Sequence, residues 1–143
     1  MFILQETPIN VSQAKEHCKN TNNGAFTCFE GMVRADEING STVNSLLYLA
    51  NNAECITEGN KIIAEAKSQF AINDALCIQR IGQLNTGELA IWIGVWSGHR
   101  DDAFKACRYI IEEVKQRLLI WKKEFTVDGQ AIWAHGDKAN ITL

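Results

Sequence analysis

Strict alternation marks positions 25–34, with Phe26, Cys28, Glu30, Met32 and Arg34 on one side and Ala25, Thr27, Phe29, Gly31 and Val33 on the other. A period of two predicts a strand, here one that ends on an arginine. The polar run 35–41 holds an Asn39-Gly40 turn signal, and 42–50 resumes strand character, so the two stretches predict an antiparallel hairpin with a long tip. Positions 89–97 set Leu89, Ile91, Ile93 and Val95 against Ala90, Trp92, Gly94 and Trp96. A strand apolar on both faces must be covered on both, by helices on one side and by another sheet or a subunit on the other. Further strands are predicted at 2–4 and 75–81, the latter joined to 89–97 through 82–88. A last hairpin is predicted from 121–127 and 130–134 across Asp128-Gly129.

Helical spacing appears in three places. Positions 12–19 follow Pro8 and Asn10 with Ser12 as the expected cap. Positions 53–70 carry Ile56, Ile63, Ala66 and Phe70, interrupted by Gly59, and 101–118 carry Ala103, Cys107, Ile110, Ile111, Val114 and Leu118. Asp101 and Asp102 suit the positive end of that last helix. The sum is about seven strands and three helices in an α+β arrangement with an antiparallel sheet. No repeat or linker divides the chain, so one domain over 1–143 is expected, with little pattern in 135–143.

Composition narrows the class. With 143 residues, 46% apolar and 22% charged, the chain can build a core without disulfide or metal staples. No stretch approaches the roughly 18 apolar residues of a membrane helix, and the start lacks the basic and apolar regions of a secretory signal. A cytoplasmic protein without membrane attachment is expected. The five cysteines, 18, 28, 55, 77 and 107, are odd in number and make no C-x-x-C pair, so reduced core thiols are expected rather than zinc or a redox dithiol. Phosphate-loop, dinucleotide, hydrolase-elbow and zincin motifs are all missing. A net charge of −3 argues against nucleic acid.

That net charge is unevenly spread. Seven basic residues (Arg100, Lys105, Arg108, Lys115, Arg117, Lys122, Lys123) face four acidic ones between His99 and Lys123, a net of +3, which leaves −6 elsewhere. Lys115 stands on the shoulder of the apolar helical stripe, and Trp121 and Lys122 open the next strand. A helix and its following strand can thus aim lysines at one pocket for a phosphate or carboxylate. A solvated helix face with pairs such as Arg108 and Glu112 is the plainer alternative. His99-Arg100 sits where a strand turns into a helix, a place that favours anions, although a histidine there can also be a simple cap. Arg80 reads as structural. Four tryptophans suggest a packed interface or a flat aromatic ligand, with Trp92 in the core.

Four segments taken together resemble one family. They are Gly24-Ala25-Phe26-Thr27-Cys28-Phe29-Glu30-Gly31-Met32-Val33-Arg34, Gln79-Arg80-Ile81-Gly82-Gln83-Leu84, Gly94-Val95-Trp96-Ser97-Gly98-His99-Arg100-Asp101-Asp102-Ala103-Phe104, and the run from Lys115-Gln116-Arg117 through Trp121-Lys122-Lys123-Glu124. In order and spacing they resemble the large, catalytic subunit of molybdopterin synthase from about Gly24 to Trp133. The resemblance implies an α/β hammerhead fold and a central homodimer. It also implies a small ubiquitin-like sulfur-carrier subunit at each end, giving a heterotetramer. The implied reaction converts cyclic pyranopterin monophosphate to molybdopterin, with sulfur from a thiocarboxylate at the small subunit's C-terminal glycine and no bound metal or cofactor.

Carried over by position, Lys115 is expected to meet that glycine and act as the main catalytic group, flanked by Arg117. Lys122 is expected to touch substrate or steady developing negative charge. Arg34, His99, Arg100 and Arg117 are expected to contact the phosphate and pterin, with Arg34 drawn from the other subunit so that the pocket lies at the interface. Where family members carry a Glu, a Tyr and a nearby Met, this chain has Leu49-Ala50-Asn51 and Cys55; after Trp133, His135 or Lys138 stands in for a family arginine. Two other readings stay open here. One is a non-catalytic anion- or partner-binding module of the same fold; the other is a thiol enzyme using Cys107.

Overall fold

The computed structural model describes residues 1–134. The described chain runs β1 (Phe2–Gln5), α1 (Val11–Ala14) with a 3₁₀ turn (Lys15–His17), β2 (Ala25–Met32), β3 (Glu37–Ile38), β4 (Ser41–Ala50) and α2 (Asn52–Gln69). It continues through β5 (Ile72–Arg80), β6 (Gly82–Asn85), β7 (Leu89–Ser97), α3 (Arg100–Arg117), β8 (Ile120–Thr126) and β9 (Ala131–Trp133). The fold is α+β, as the pattern predicts.

Two sheets divide the strands. The first has the order β1-β5-β7-β2, antiparallel except where β1 runs parallel to β5; the second has the order β3-β4-β8-β9, with β6 also paired to β4. The expected hairpin of 25–34 with 42–50 does not form. β2 pairs with β7, from Ala25 opposite Ser97 to Met32 opposite Leu89, and β4 pairs with β8. Alternation fixes which side chains share a face, not which strand supplies the partner. The chain leaves the first sheet at a register shift between Gly31 and Met32, after which buried Val33 bonds Glu88 O and joins the second core.

Coverage of β7 also differs from expectation in part. Ile91, Ile93 and Val95 face α2 and α3. Trp92 and Trp96 face the chain's own segment around Ala14, with Ile9, Val11 and Cys18 packed beside them, while Ala90 joins Val33, Val43, Leu46 and Leu84 of the second sheet. No subunit is needed to cover this strand. Burying Trp92 and Ile93 completely contributes about 1.5–3 kcal/mol each, and Trp92 is a core residue.

Local signals explain the helices. Asn10, not Ser12, caps α1, its side chain accepting from Gln13 N at 3.1 Å, so the helix starts earlier and ends sooner than predicted. Asn51 caps α2 by accepting from Glu54 N at 3.2 Å. Within α2 the inward residues are Cys55, Gly59, Ile62, Ile63 and Ala66, while Ile56 is exposed. Gly59 is a packing residue: a Cβ there would lie 2.3 Å from the Phe2 ring, so β1 reaches the helix only because the side chain is missing.

Candidate functional site

The last turn of α3 ends against the seam between the two sheets. Val114 and Leu118, one helical turn apart and buried, fix that end of the helix in the core. Lys115, next to Val114, is therefore held at the edge of the packed stripe and reaches a cavity of about 300 Å³. On β8, pleating places Ile120, Lys122 and Glu124 on the cavity side. On β4, Tyr48 stands opposite Lys122 and Leu46 opposite Glu124, and both line the same space. The end of β2 and the residues after it close the wall with Phe29, Met32, Val33, Arg34 and Asp36.

Lys115, Lys122 and Arg34 thus meet at one cavity, although they lie on three separate elements. Arg34 lines the cavity of its own chain, where an origin in a second subunit was expected. Its guanidinium grips Asp36 at the mouth, Nε to Oδ1 at 2.6 Å and Nη2 to Oδ2 at 3.3 Å. Three cations against the carboxyls of Asp36 and Glu124 make the cavity attractive to anions.

Glu124 and Tyr48 line the cavity and were not singled out by sequence reasoning. Burial pushes the Glu124 carboxyl above its usual range, against the opposing pull of Lys122, and Asp36 adds to the rise. Burial, with Glu124 second, pushes the Tyr48 phenol up to about 12. Glu124 is 9% exposed and its Oε2 has no partner among the described residues. The signal was present in the sequence as the alternation Lys122, Glu124 on one strand face.

A second, more open groove of about 650 Å³ runs between β2 and α3, past Thr27, Cys28, Phe104, Cys107 and Ile111. Phe29 and Lys115 border both spaces, so an extended chain lying in the groove would bring its end to Lys115. The thiol reading loses its basis here. Cys107 is buried in the core, and burial, with Cys28 second, pushes its thiol up to about 11, which disfavours the thiolate.

Arg117, His99 and Arg100 are not brought to the cavity. Arg117 points to α2, where it bonds Glu58 at 2.7 Å and Glu65 at 2.6 and 3.0 Å, and it also bonds Glu113 of its own helix at 3.1 Å. Hydrogen bonding to Glu65 raises the Arg117 pKa further, and Arg117 in turn pulls Glu65 down to about 2. The guanidinium is committed to carboxylates, so it neither crowds Lys115 nor faces a ligand there. His99 is the N-cap residue of α3 without a side-chain cap bond, and both it and Arg100 are exposed. Fifteen residues of helix separate Arg100 from Lys115, roughly 22 Å at 1.5 Å per residue.

Arg80 is buried, held by Glu88 Oε1 at 2.9 Å and Glu6 O at 3.1 Å, a structural residue as expected. The positions that depart from the resembled pattern lie off the cavity. Leu49 pairs with Trp121 on the outer sheet face, Asn51 caps α2, and Cys55 is buried with its thiol donating to Leu119 O. His135 and Lys138 fall outside the described residues.

Comparison with known proteins agrees with this fold. The family profile described as MoaE protein matches residues 4–117. The molybdopterin synthase catalytic subunit of Pyrococcus abyssi is 40% identical over 96% of this chain and 91% of its own length. That of Bacillus subtilis is 36% identical over 99% of this chain and 88% of its own. The crystal structure of molybdopterin synthase from Staphylococcus aureus superposes with a TM-score of 0.86 at 32% identity, covering 93% of this chain and 96% of that one. Match and fold together place the chain in the MoaE family, that of the molybdopterin synthase catalytic subunits.

Proposed function

We propose that this chain is a sulfurtransferase of molybdenum cofactor biosynthesis, converting cyclic pyranopterin monophosphate to molybdopterin. Two sulfurs come from the thiocarboxylated C-terminal glycine of a small ubiquitin-like carrier subunit. The observation that carries this reading is the meeting of Lys115, Lys122 and Arg34 at one cavity whose neighbouring groove leads to Lys115. An anionic phosphate and an anionic thiocarboxylate repel each other, and fixed cations offset that repulsion in a partly dehydrated space.

Lys115, at the junction of groove and cavity, meets the incoming thiocarboxylate. Lys122 steadies negative charge on the reacting atoms, and Arg34 holds phosphate at the mouth. His99 and Arg100 act as anion contacts only across a homodimer, since a single chain keeps them about 22 Å from Lys115. The working assembly is then two copies of this chain with two carrier subunits. The reaction belongs in the cytoplasm, a setting with which five free cysteines agree. Among the described residues no helix is long and apolar enough to cross a membrane.

The test is reconstitution. Purified chain, thiocarboxylated carrier and cyclic pyranopterin monophosphate are expected to yield dithiolene product; a stable complex without product would identify a binding module instead.

A further inference from the structure

The reading as a sulfurtransferase leaves one step without a residue. A sulfur that bonds to substrate while still joined to the carrier's acyl carbon forms a thioester, and the carrier leaves only when that acyl carbon–sulfur bond breaks. Water must supply the new oxygen, and a base must take its proton. Lys115, Lys122 and Arg34 in their charged forms only donate hydrogen bonds. Asp36 has both oxygens on Arg34. Glu124 lines the cavity, is 9% exposed, and keeps one carboxyl oxygen with no partner among the described residues.

We propose that Glu124 is the general base that activates this water. The Glu124 carboxylate takes one proton from water as the water oxygen bonds to the acyl carbon. The carbon–sulfur bond then breaks with its electron pair going to sulfur, which stays on the substrate as a thiolate. The carrier departs as a carboxylic acid that loses its proton to solvent, and protonated Glu124 returns its proton to the thiolate or to solvent. Rotation about the terminal carboxyl torsion, which is soft, presents either oxygen to the cavity.

The surroundings fit a base of this kind. An ordinary carboxylate is too weak to deprotonate water well near neutral pH, and burial strengthens Glu124. The charged and titratable groups around it are Tyr48 from β4, Lys122 from β8, Lys115 from α3, and Arg34 and Asp36 from the segment after β2. Lys122 keeps the carboxylate available, and burial, with Asp36 adding to it, keeps it from becoming too acidic.

This step rests on the sulfurtransferase reading, and the experiment separates the two. Single-turnover mixtures of chain, thiocarboxylated carrier and cyclic pyranopterin monophosphate are followed by intact mass, reading both the carrier–substrate adduct and free carrier carboxylate. With Glu124→Gln the adduct is expected to accumulate and carrier release to slow at least ~100-fold. Glu124→Asp is expected to restore release in part. In the unaltered chain, release alone is expected to fall as pH drops through the raised carboxyl pKa, a readout that does not depend on any variant folding. Release from Glu124→Gln at the unaltered rate, or a release rate flat with pH on the acid side, overturns the assignment. If the unaltered chain gives neither adduct nor sulfur-bearing product, the sulfurtransferase reading itself fails, and this step with it.

Discussion

Arg117 holds Glu65 through two parallel hydrogen bonds, Nη1 to Oε1 at 2.6 Å and Nη2 to Oε2 at 3.0 Å, and so ties the last turn of α3 to α2. That turn carries Lys115. Arg117→Ala is expected to lower stability by roughly 1–2 kcal/mol, since the pairs are part-exposed and three carboxylates lose their shared partner. Thermal melting reads the loss. Any fall in turnover should be smaller than for a cavity lysine, because Arg117 positions the helix end and does not face the cavity.

The same pair sets an acid limit. The Glu65 pKa is depressed from 4.5 to about 2 in the fold, chiefly by Arg117 and then Tyr109. A depressed carboxyl contributes stability above its unfolded pKa, and that contribution is lost as pH falls from about 4.5 toward about 2. Melting temperature is therefore expected to drop through this window, and to drop less in Arg117→Ala, where the largest part of that contribution is already gone. Equal slopes would show that Glu65 is not the group responsible.

Gly59→Ala is expected to destabilise the chain by about 1–3 kcal/mol even though alanine is the better helix former by about 1 kcal/mol. The added methyl would sit 2.3 Å from the Phe2 ring and push β1 off α2. Chemical denaturation measures the change; a stabilised variant would show that β1 moves aside without cost.

His99 and Arg100 lie at the far end of α3 from Lys115, so the anion-contact role proposed for them requires a second copy. Chains carrying Arg100→Ala and chains carrying Lys115→Ala, each inactive alone, are expected to regain activity when co-expressed. Random pairing makes half the dimers mixed, each with one intact site, which gives about a quarter of the unaltered activity. No recovery would mean that each site is built within one chain.

The sequence carried some of this clearly and some not at all. The long helices were legible because Val114, Leu118 and their neighbours repeat at helical spacing, and β8 was legible because Lys122 and Glu124 alternate with Trp121 and Lys123. Strand partners were not: β2 and β4 alternate equally well, and only the turn of Val33 into the second core separates them. Ile56 looked inward because its neighbours did, whereas Gly59 proved to be the contact. The cavity lysines followed from charge placed beside an apolar stripe. Arg117 carries the same charge two residues on, but a helix turns about 200° over two residues, so it faces the carboxylates of α2 instead.

The central claim is that Lys115 performs the sulfur transfer, and Lys115→Ala tests it most directly. Purified variant, mixed with thiocarboxylated carrier and cyclic pyranopterin monophosphate, is assayed for dithiolene product beside a melting curve and a carrier-binding titration. Product formation is expected to fall by at least ~100-fold with melting and carrier binding nearly unchanged. Product at the unaltered rate would contradict the account.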